Sequence, residues 1–429
     1  MALRPSRAGT ALALLAVSVA AMVAPAAAAD PPDRIAPAPA DGQRAADVVD
    51  DAFFFPITPC RVLDTRATAP LAANATRDVA ITGGTCGVPA TATAVEASVS
   101  SVTPAGDGFA RVWPAGGTPS NGTVLNYSAG KGTTNTGAVA IGETGGLTVK
   151  NFSGPSHYVI DVQGYFVPAT ELVGLETGSV YVPLSPCRVL DTRGDGPVAV
   201  GTGPTVRLAT APSCAVPAEA TAVEASISAV TPGATGFLRA WPAGSPAPNA
   251  TFLNYAAGQS TTNTGAIALS AATEMQLRVF GAPTNVVVDI QGYFIEIDDL
   301  PDGAVGATFD AFAPCRVYDS RQDPEGAFAP GETLEAELAG ACGVPAGAVA
   351  AEVSLSAVTP SAPGYARVWP ASEAEPNATF LNYSAGQATT NTGSVRLDAA
   401  GAVEVGNAGG PAHYTLDVQG AWRAISLEG

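Results

Sequence analysis

Three carboxylates recur at matched places along the chain and are the side chains best suited to chemistry: Asp64, Glu96 and Asp161 in the first copy. Paired carboxyl groups can hydrolyse glycosides, one giving a proton while the other activates water or attacks the sugar. Their setting argues for a different role. Arg61, Arg66 and Arg111 recur beside them, so each copy carries three repeated arginines and three repeated acids. Balanced sets of this kind usually form ion pairs or hydrogen-bonded networks within a fold. The expected structural pairs draw on Arg61, Asp64, Arg66 and Asp161, on Arg188, Asp191, Arg193 and Asp289, and on Arg316, Asp319, Arg321 and Asp417. Asp161 closes its unit and Arg61 opens it, so a pair between them would tie the two ends together. Its loss is expected to unfold that unit alone. Glu96 and Arg111 lie on successive strands that read as a hairpin, where an opposite-charge pair would set register.

The other catalytic routes have little support. His157 and His413 are the only histidines, and the matching position in the middle copy is Asn285. A general base required in every unit would not be replaced by an amide, and no nucleophile-elbow sequence accompanies a serine. His157 reads as a residue at the start of a terminal strand. No catalytic residue, metal ligand or cofactor is expected, since the cysteines lack both close pairing and histidine partners. The six cysteines fall two per copy, Cys60 with Cys86, Cys187 with Cys214 and Cys315 with Cys342. In an exported chain that pattern reads as three local disulfides, each contributing about 3.5 kcal/mol on a chain-entropy estimate. Asn126, Tyr127 and Asn135, with Asn254, Tyr255 and Asn263 and with Asn382, Tyr383 and Asn391, carry the amides and rings that read sugars. They are the ligand-binding candidates, although amides and hydroxyls also build turns and strand ends.

The elements that must position these groups come in three copies. Cys60 to Arg66 returns as Cys187 to Arg193 and, with two substitutions, as Cys315 to Arg321. Trp113, Trp241 and Trp369 are spaced by 128 and 128, and so are Asn135, Asn263 and Asn391. A period of domain length means that each copy can close a core of its own. The organisation read from it is a signal peptide at 1–29, a flexible leader at 30–52, and repeats at 53–168, 180–297 and 308–424. Joints at 169–179 and 298–307 separate the repeats. Within the first repeat, Ala94 to Ser100 alternates strictly, so one face is buried and the other is wet or paired. The turn residues Thr103 to Gly108 predict that Phe109 to Trp113 folds back as its hairpin partner. Phe54 to Asp64, broken by Pro56 and Pro59, suits an edge strand. About eight short strands per repeat predict an all-β protein of three tandem antiparallel β-sandwiches, jelly-roll-like, each with one internal disulfide.

The motifs PCRVLDTR near the start and DVQGYF near the end of the first unit, repeated with small changes in the other two, resemble a family of secreted bacterial repeats. In that family the same bookends flank segments like Val88-Pro89-Ala90-Thr91-Ala92 and Leu125-Asn126-Tyr127-Ser128-Ala129-Gly130. The resemblance implies an accessory or surface module with no assigned activity. The third unit departs from it, with Ala421-Trp422 where the others have Tyr-Phe.

Composition agrees with export. Arg4 and Arg7 precede an apolar run from Ala11 to Val23, and Ala27-Ala28-Ala29 supplies small residues for cleavage. The net charge of −18 becomes −20 once that segment is removed, a field that repels nucleic acid and anionic lipid. The reading is therefore a non-catalytic extracellular or loosely surface-held structural or adhesion protein. Its expected partners are cell-wall or extracellular glycan, or another surface protein, with no membrane span in the mature form. A multivalent glycan binder is the alternative, followed by an exported hydrolase.

Overall fold

The computed structural model describes residues 7–8, 51–120, 122–172, 178–209, 211 and 214–425. The signal-peptide and leader readings lie outside these residues, apart from Asp51, Ala52 and strand β1 (Arg7–Ala8), which pairs with Thr333 and Leu334. The first unit contributes β2 (Ala52–Asp64), β3 (Thr76–Ala80), β4 (Ala94–Val102), β5 (Gly108–Pro114), β6 (Leu125–Tyr127), β7 (Thr133–Ala140), β8 (Gly146–Asn151) and β9 (His157–Pro168). The second repeats them as β10 (Ser179–Asp191), β11 (Thr205–Arg207), β12 (Ala222–Val230), β13 (Gly236–Pro242), β14 (Leu253–Tyr255), β15 (Thr261–Ala268), β16 (Glu274–Phe280) and β17 (Asn285–Glu296). The third repeats them as β18 (Ala307–Asp319), β19 (Thr333–Glu337), β20 (Ala348–Val358), β21 (Gly364–Pro370), β22 (Leu381–Tyr383), β23 (Thr389–Arg396), β24 (Ala402–Gly409) and β25 (His413–Ala424).

Within the first unit one sheet runs β2-β9-β4-β7 and the other β3-β8-β5-β6, all antiparallel. First strand beside last, and third between last and sixth, is the doubly wound Greek-key order of a jelly roll. The fold class read from the strand pattern therefore holds. The expected hairpin does not. β4 pairs with β7 and β9, whereas β5 pairs with β6 and β8 in the opposite sheet. The chain turns this corner at Thr103, whose left-handed φ of 47° recurs at Thr231 (44°) and Thr359 (45°). β2 is the edge of its own four strands, as its prolines suggested. Pro56 lies at the register break before Cys60 and Pro59 inside it, where a missing N–H removes no ladder bond.

Each unit encloses a core of alternating apolar residues, such as Val95, Val99, Val112, Leu147 and Ile160 in the first. The disulfides Cys60–Cys86, Cys187–Cys214 and Cys315–Cys342 stand beside these cores. A fourth core belongs to no single unit. It gathers Phe54 and Phe166, Tyr181 and Phe294, and Phe309 and Trp422, with small alanines from all three. Ring centroids there lie 4.3 Å apart for Phe54–Phe294, 4.7 Å for Phe166–Phe309 and 4.5 Å for Tyr181–Trp422. Trp422, the departure noted in the third unit, takes the place of Phe166 and Phe294 and donates its indole N–H to Ser394 Oγ at 2.7 Å.

These contacts fix how the units sit. β2, β10 and β18 meet in pairs at single points, joining three four-stranded sheets into one of twelve strands. The edge strands β7, β15 and β23 likewise all touch one another. The three jelly rolls thus surround a pseudo-threefold axis, with one sheet of each turned toward it. The repeated DVQG glycine has a reason here: a Cβ on Gly164 would come within 2.3 Å of the Phe54 ring, and one on Gly292 within 2.4 Å of Tyr181.

Candidate functional site

The repeated polar residues converge on the axis and on the seams between units. β7 is an open edge, and the N–H groups facing away from its sheet need acceptors. The Thr136 N–H donates to Asn263 Oδ1 of the second unit at 2.9 Å, and the Ala138 N–H to Glu352 Oε1 of the third at 3.1 Å. On β15, Thr264 N–H finds Asn391 Oδ1 at 3.0 Å and Ala266 N–H finds Glu96 Oε1 at 3.2 Å. On β23, Thr392 N–H finds Asn135 Oδ1 at 3.0 Å and Ser394 N–H finds Glu224 Oε1 at 3.2 Å. Each asparagine side chain also donates to a threonine of the same neighbour, as Asn135 Nδ2 does to Thr392 Oγ1 at 2.8 Å. Each asparagine thus serves one neighbour and each glutamate the other, so the pattern closes in a ring.

This placement corrects the ligand-binding reading of Asn135, Asn263 and Asn391. All three are fully buried, because the strand edge they cap is covered by another unit. Tyr127, Tyr255 and Tyr383 are buried as well. Their hydroxyls donate inward, Tyr127 to Asn151 Oδ1, Tyr255 to Ala282 O and Tyr383 to Asn407 Oδ1. Asn126, Asn254 and Asn382 are half-buried and donate to Thr390, Thr134 and Thr262 of a neighbouring unit at 2.5 to 2.6 Å. They rim a small polar cavity of about 40 Å³ at the end of the axis, which Lys131, Gln259 and Gln387 also line. Two larger clefts open at the seams. One of about 650 Å³ lies between Pro56 and Thr58 of the first unit and Glu219 to Thr221 of the second. Another, of about 390 Å³, lies between Val182 of the second and Arg396 of the third.

The structure brings the opening arginine of each unit to its closing aspartate. Arg61 reaches Asp161 through two bonds of 2.8 and 3.1 Å, Arg188 reaches Asp289 at 2.7 and 3.0 Å, and Arg316 reaches Asp417 at 2.7 and 3.0 Å. These pairs do more than join the ends of a unit. Arg61 Nη2 also donates to Asn249 O of the second unit at 2.7 Å, and Arg188 Nη2 to Asn377 O of the third at 2.6 Å. The Thr379 N–H in turn donates to Asp289 Oδ2 at 3.1 Å. The sequence placed the effect of losing such a pair within one unit; these bonds extend it across the seam to the neighbouring unit. The seam is part of the pair. Asp161 and Asp289 lie above their ordinary pKa because burial outweighs the facing guanidinium.

Asp64, Asp191 and Asp319 end their opening strands. Each caps the next turn, taking the backbone N–H of Arg66, Arg193 or Arg321 together with that residue's guanidinium. The arginine holds the Asp64 and Asp191 carboxyls at about 2. Arg111 does not face Glu96, since their strands belong to different sheets. Its guanidinium lies over the stacked rings of Phe109 and Phe152 and donates to Ser120 O at 3.1 Å. His157 stands at the start of β9 with Nδ1 against Thr65.

Glu96, Glu224 and Glu352 are the surprise of the site. All are buried, and desolvation drives their pKa up; Glu352 is pushed up to about 7. Glu352 raises Glu96 further, and Glu96 and Glu352 together raise Glu224. Sequence reasoning singled out Glu96 but missed Gln163, Gln291 and Gln419 as axial residues, and Ser98, Ser226 and Ser354 as seam donors. The Ser98, Ser226 and Ser354 hydroxyls donate to Thr251 O, Thr379 O and Thr123 O across the seams, at 3.1 to 3.4 Å. A run of Thr-Asn-Thr-Gly inside a strand was the available signal: polar on both faces, it needs partners on both.

No protein-family model and no curated protein matches the chain. Among solved structures, a chain described under "The Triple Jelly Roll Fold and Turret Assembly in an Archaeal Virus" aligns over 87% of this chain and 91% of that one, at 12% identity and a TM-score of 0.18. A score of that size carries no inference about function.

Proposed function

We propose that the protein works outside the cell as a non-catalytic structural or adhesion body, a closed ring of three jelly rolls. One observation carries this reading: the repeated asparagines, glutamates, aspartates and opening arginines are committed to holding the units together. Three disulfides fit an oxidising compartment, and among the described residues no helix is long and apolar enough to cross a membrane. The resemblance to secreted bacterial repeats supports a surface setting. Contact with cell wall or another surface protein would then fall to exposed loops and to the clefts between units.

Those clefts also favour a second reading, a glycan binder whose ligand lies along a seam. Pull-down of the purified whole chain on cell walls, with a glycan array alongside, separates the readings. A structural body gives no saturable glycan signal. Saturable binding lost on placing a bulky side chain at Ala218 or Ala271, both exposed on the cleft between the first and second units, would replace it with the second reading.

A further inference from the structure

The seams are built from the same residues three times, and this bears on what each unit can recognise. Asn263 meets Thr136, Asn391 meets Thr264, and Asn135 meets Thr392. Glu96 meets the Ala266 N–H, Glu224 the Ser394 N–H, and Glu352 the Ala138 N–H. Arg61 meets Asn249 O, and Arg188 meets Asn377 O. In every case a unit gives one surface to the neighbour ahead and a different surface to the neighbour behind. Contacts of this head-to-tail kind close into a ring when the rotation between units is a third of a turn.

The closing seam, between the third unit and the first, is bridged by no joint between consecutive units, although β1, ahead of the first unit, pairs with β19 of the third. It nonetheless carries the same asparagine, glutamate and serine bonds as the two tethered seams. Ser179 and Ala307, at the ends of the joints, add single inter-unit strand pairings, whereas Pro301 to Gly303 are exposed and the seam bonds named above involve none of them. We infer that each unit presents a recognition surface for another copy of the same unit, and that the ring assembles on those surfaces with the tethers dispensable. The partner is thus a second domain of this repeat type, met in the same chain or on another one. The tethers raise the local concentration of the right neighbours. This inference does not depend on the extracellular role proposed above.

The test uses the full chain with protease sites placed at residues 173–177 and at Pro301–Gly303. After both joints are cut with the disulfides intact, light scattering on a sizing column should give one particle with the mass of the uncut chain at micromolar concentration. All three fragments should co-elute. A cut Asn135→Ala, Asn263→Ala, Asn391→Ala variant should need at least a tenfold higher concentration to stay together. Near-UV circular dichroism of the uncut variant, unchanged from the parent, would show that its units remain folded. Separation of the parent's fragments at micromolar concentration, folded or unfolded, would overturn the inference. So would equal dissociation of parent and variant.

Discussion

Replacing Asp289 with alanine probes the account where a buried charge and a seam coincide. Asp289 is 1% exposed and takes both arms of Arg188, which is itself largely buried. Removing one partner of a buried ion pair costs about 3 to 5 kcal/mol, because the other charge is left unpaired. Arg188 keeps Asp191 at 3.4 Å and Asn377 O at 2.6 Å, which places the loss toward the lower end of that range. The Thr379 N–H loses its acceptor as well, adding about 1 kcal/mol. The expected total is about 4 kcal/mol, shared by the second and third units. Urea unfolding gives the size, and hydrogen exchange read by mass spectrometry gives the location. Peptides spanning 377–379 should lose protection along with those around 188 and 289. A loss below 1 kcal/mol, or one that leaves 377–379 untouched, would refute the reasoning. Arg66→Ala, which removes a half-exposed partner, should cost less than 1 kcal/mol in the same assay.

The axial glutamates give a pH dependence whose sign is fixed. Their folded pKa values lie above the unfolded ones, so the folded state holds more protons and stability falls as pH rises above about 4.5, with the Glu352 share lost through about 7. Asp64 and Asp191, held at about 2, act oppositely: their contribution is complete above about pH 4 and is lost toward pH 2. Denaturant unfolding should therefore show a maximum near pH 4 to 5, and Glu352→Gln should flatten the decline above it; stability rising steadily from pH 5 to 8 would contradict this. Gly265→Ala should destabilise by about 1 to 3 kcal/mol, since its Cβ would meet Thr136 Cγ2 at 2.7 Å across the seam; calorimetry showing an unchanged Tm would count against the close approach. Replacing Cys187 and Cys214 together with alanine should cost about 3.5 kcal/mol and leave the native circular dichroism intact, and an unaltered denaturation midpoint would show that the loop is restrained by other contacts.

Much of the fold was legible because it rests on local patterns. Alternation marked β4, proline marked the edge strand β2, and matched cysteine spacing marked the disulfides. The bidentate pairing of Arg61 with Asp161 followed from motifs at the two ends of one unit. The path from β4 to β5 was not legible, since a turn-rich segment such as Thr103 to Gly108 can close a hairpin or carry the chain to the other sheet. The seams were hidden for a deeper reason. Strand alternation distinguishes an apolar face from a polar one, but it does not distinguish water from a polar neighbour. The face of β9 that carries Asp161 is covered by the next unit, whose Thr251 N–H donates to that carboxylate. The asparagines of the Thr-Asn-Thr-Gly run read as sugar ligands for the same reason: an amide that caps a foreign strand edge has the composition of one that binds a ligand.

The open edges of β7, β15 and β23 are capped by side chains from other units. Amide hydrogen exchange resolved by NMR at Thr136, Ala138, Thr264, Ala266, Thr392 and Ser394 tests this capping most directly. All six should exchange as slowly as amides within the sheets, and Asn263→Ala should expose Thr136, in a different unit, while sparing Thr264. Rapid exchange at these positions in the intact protein, as at a free sheet edge, would contradict it.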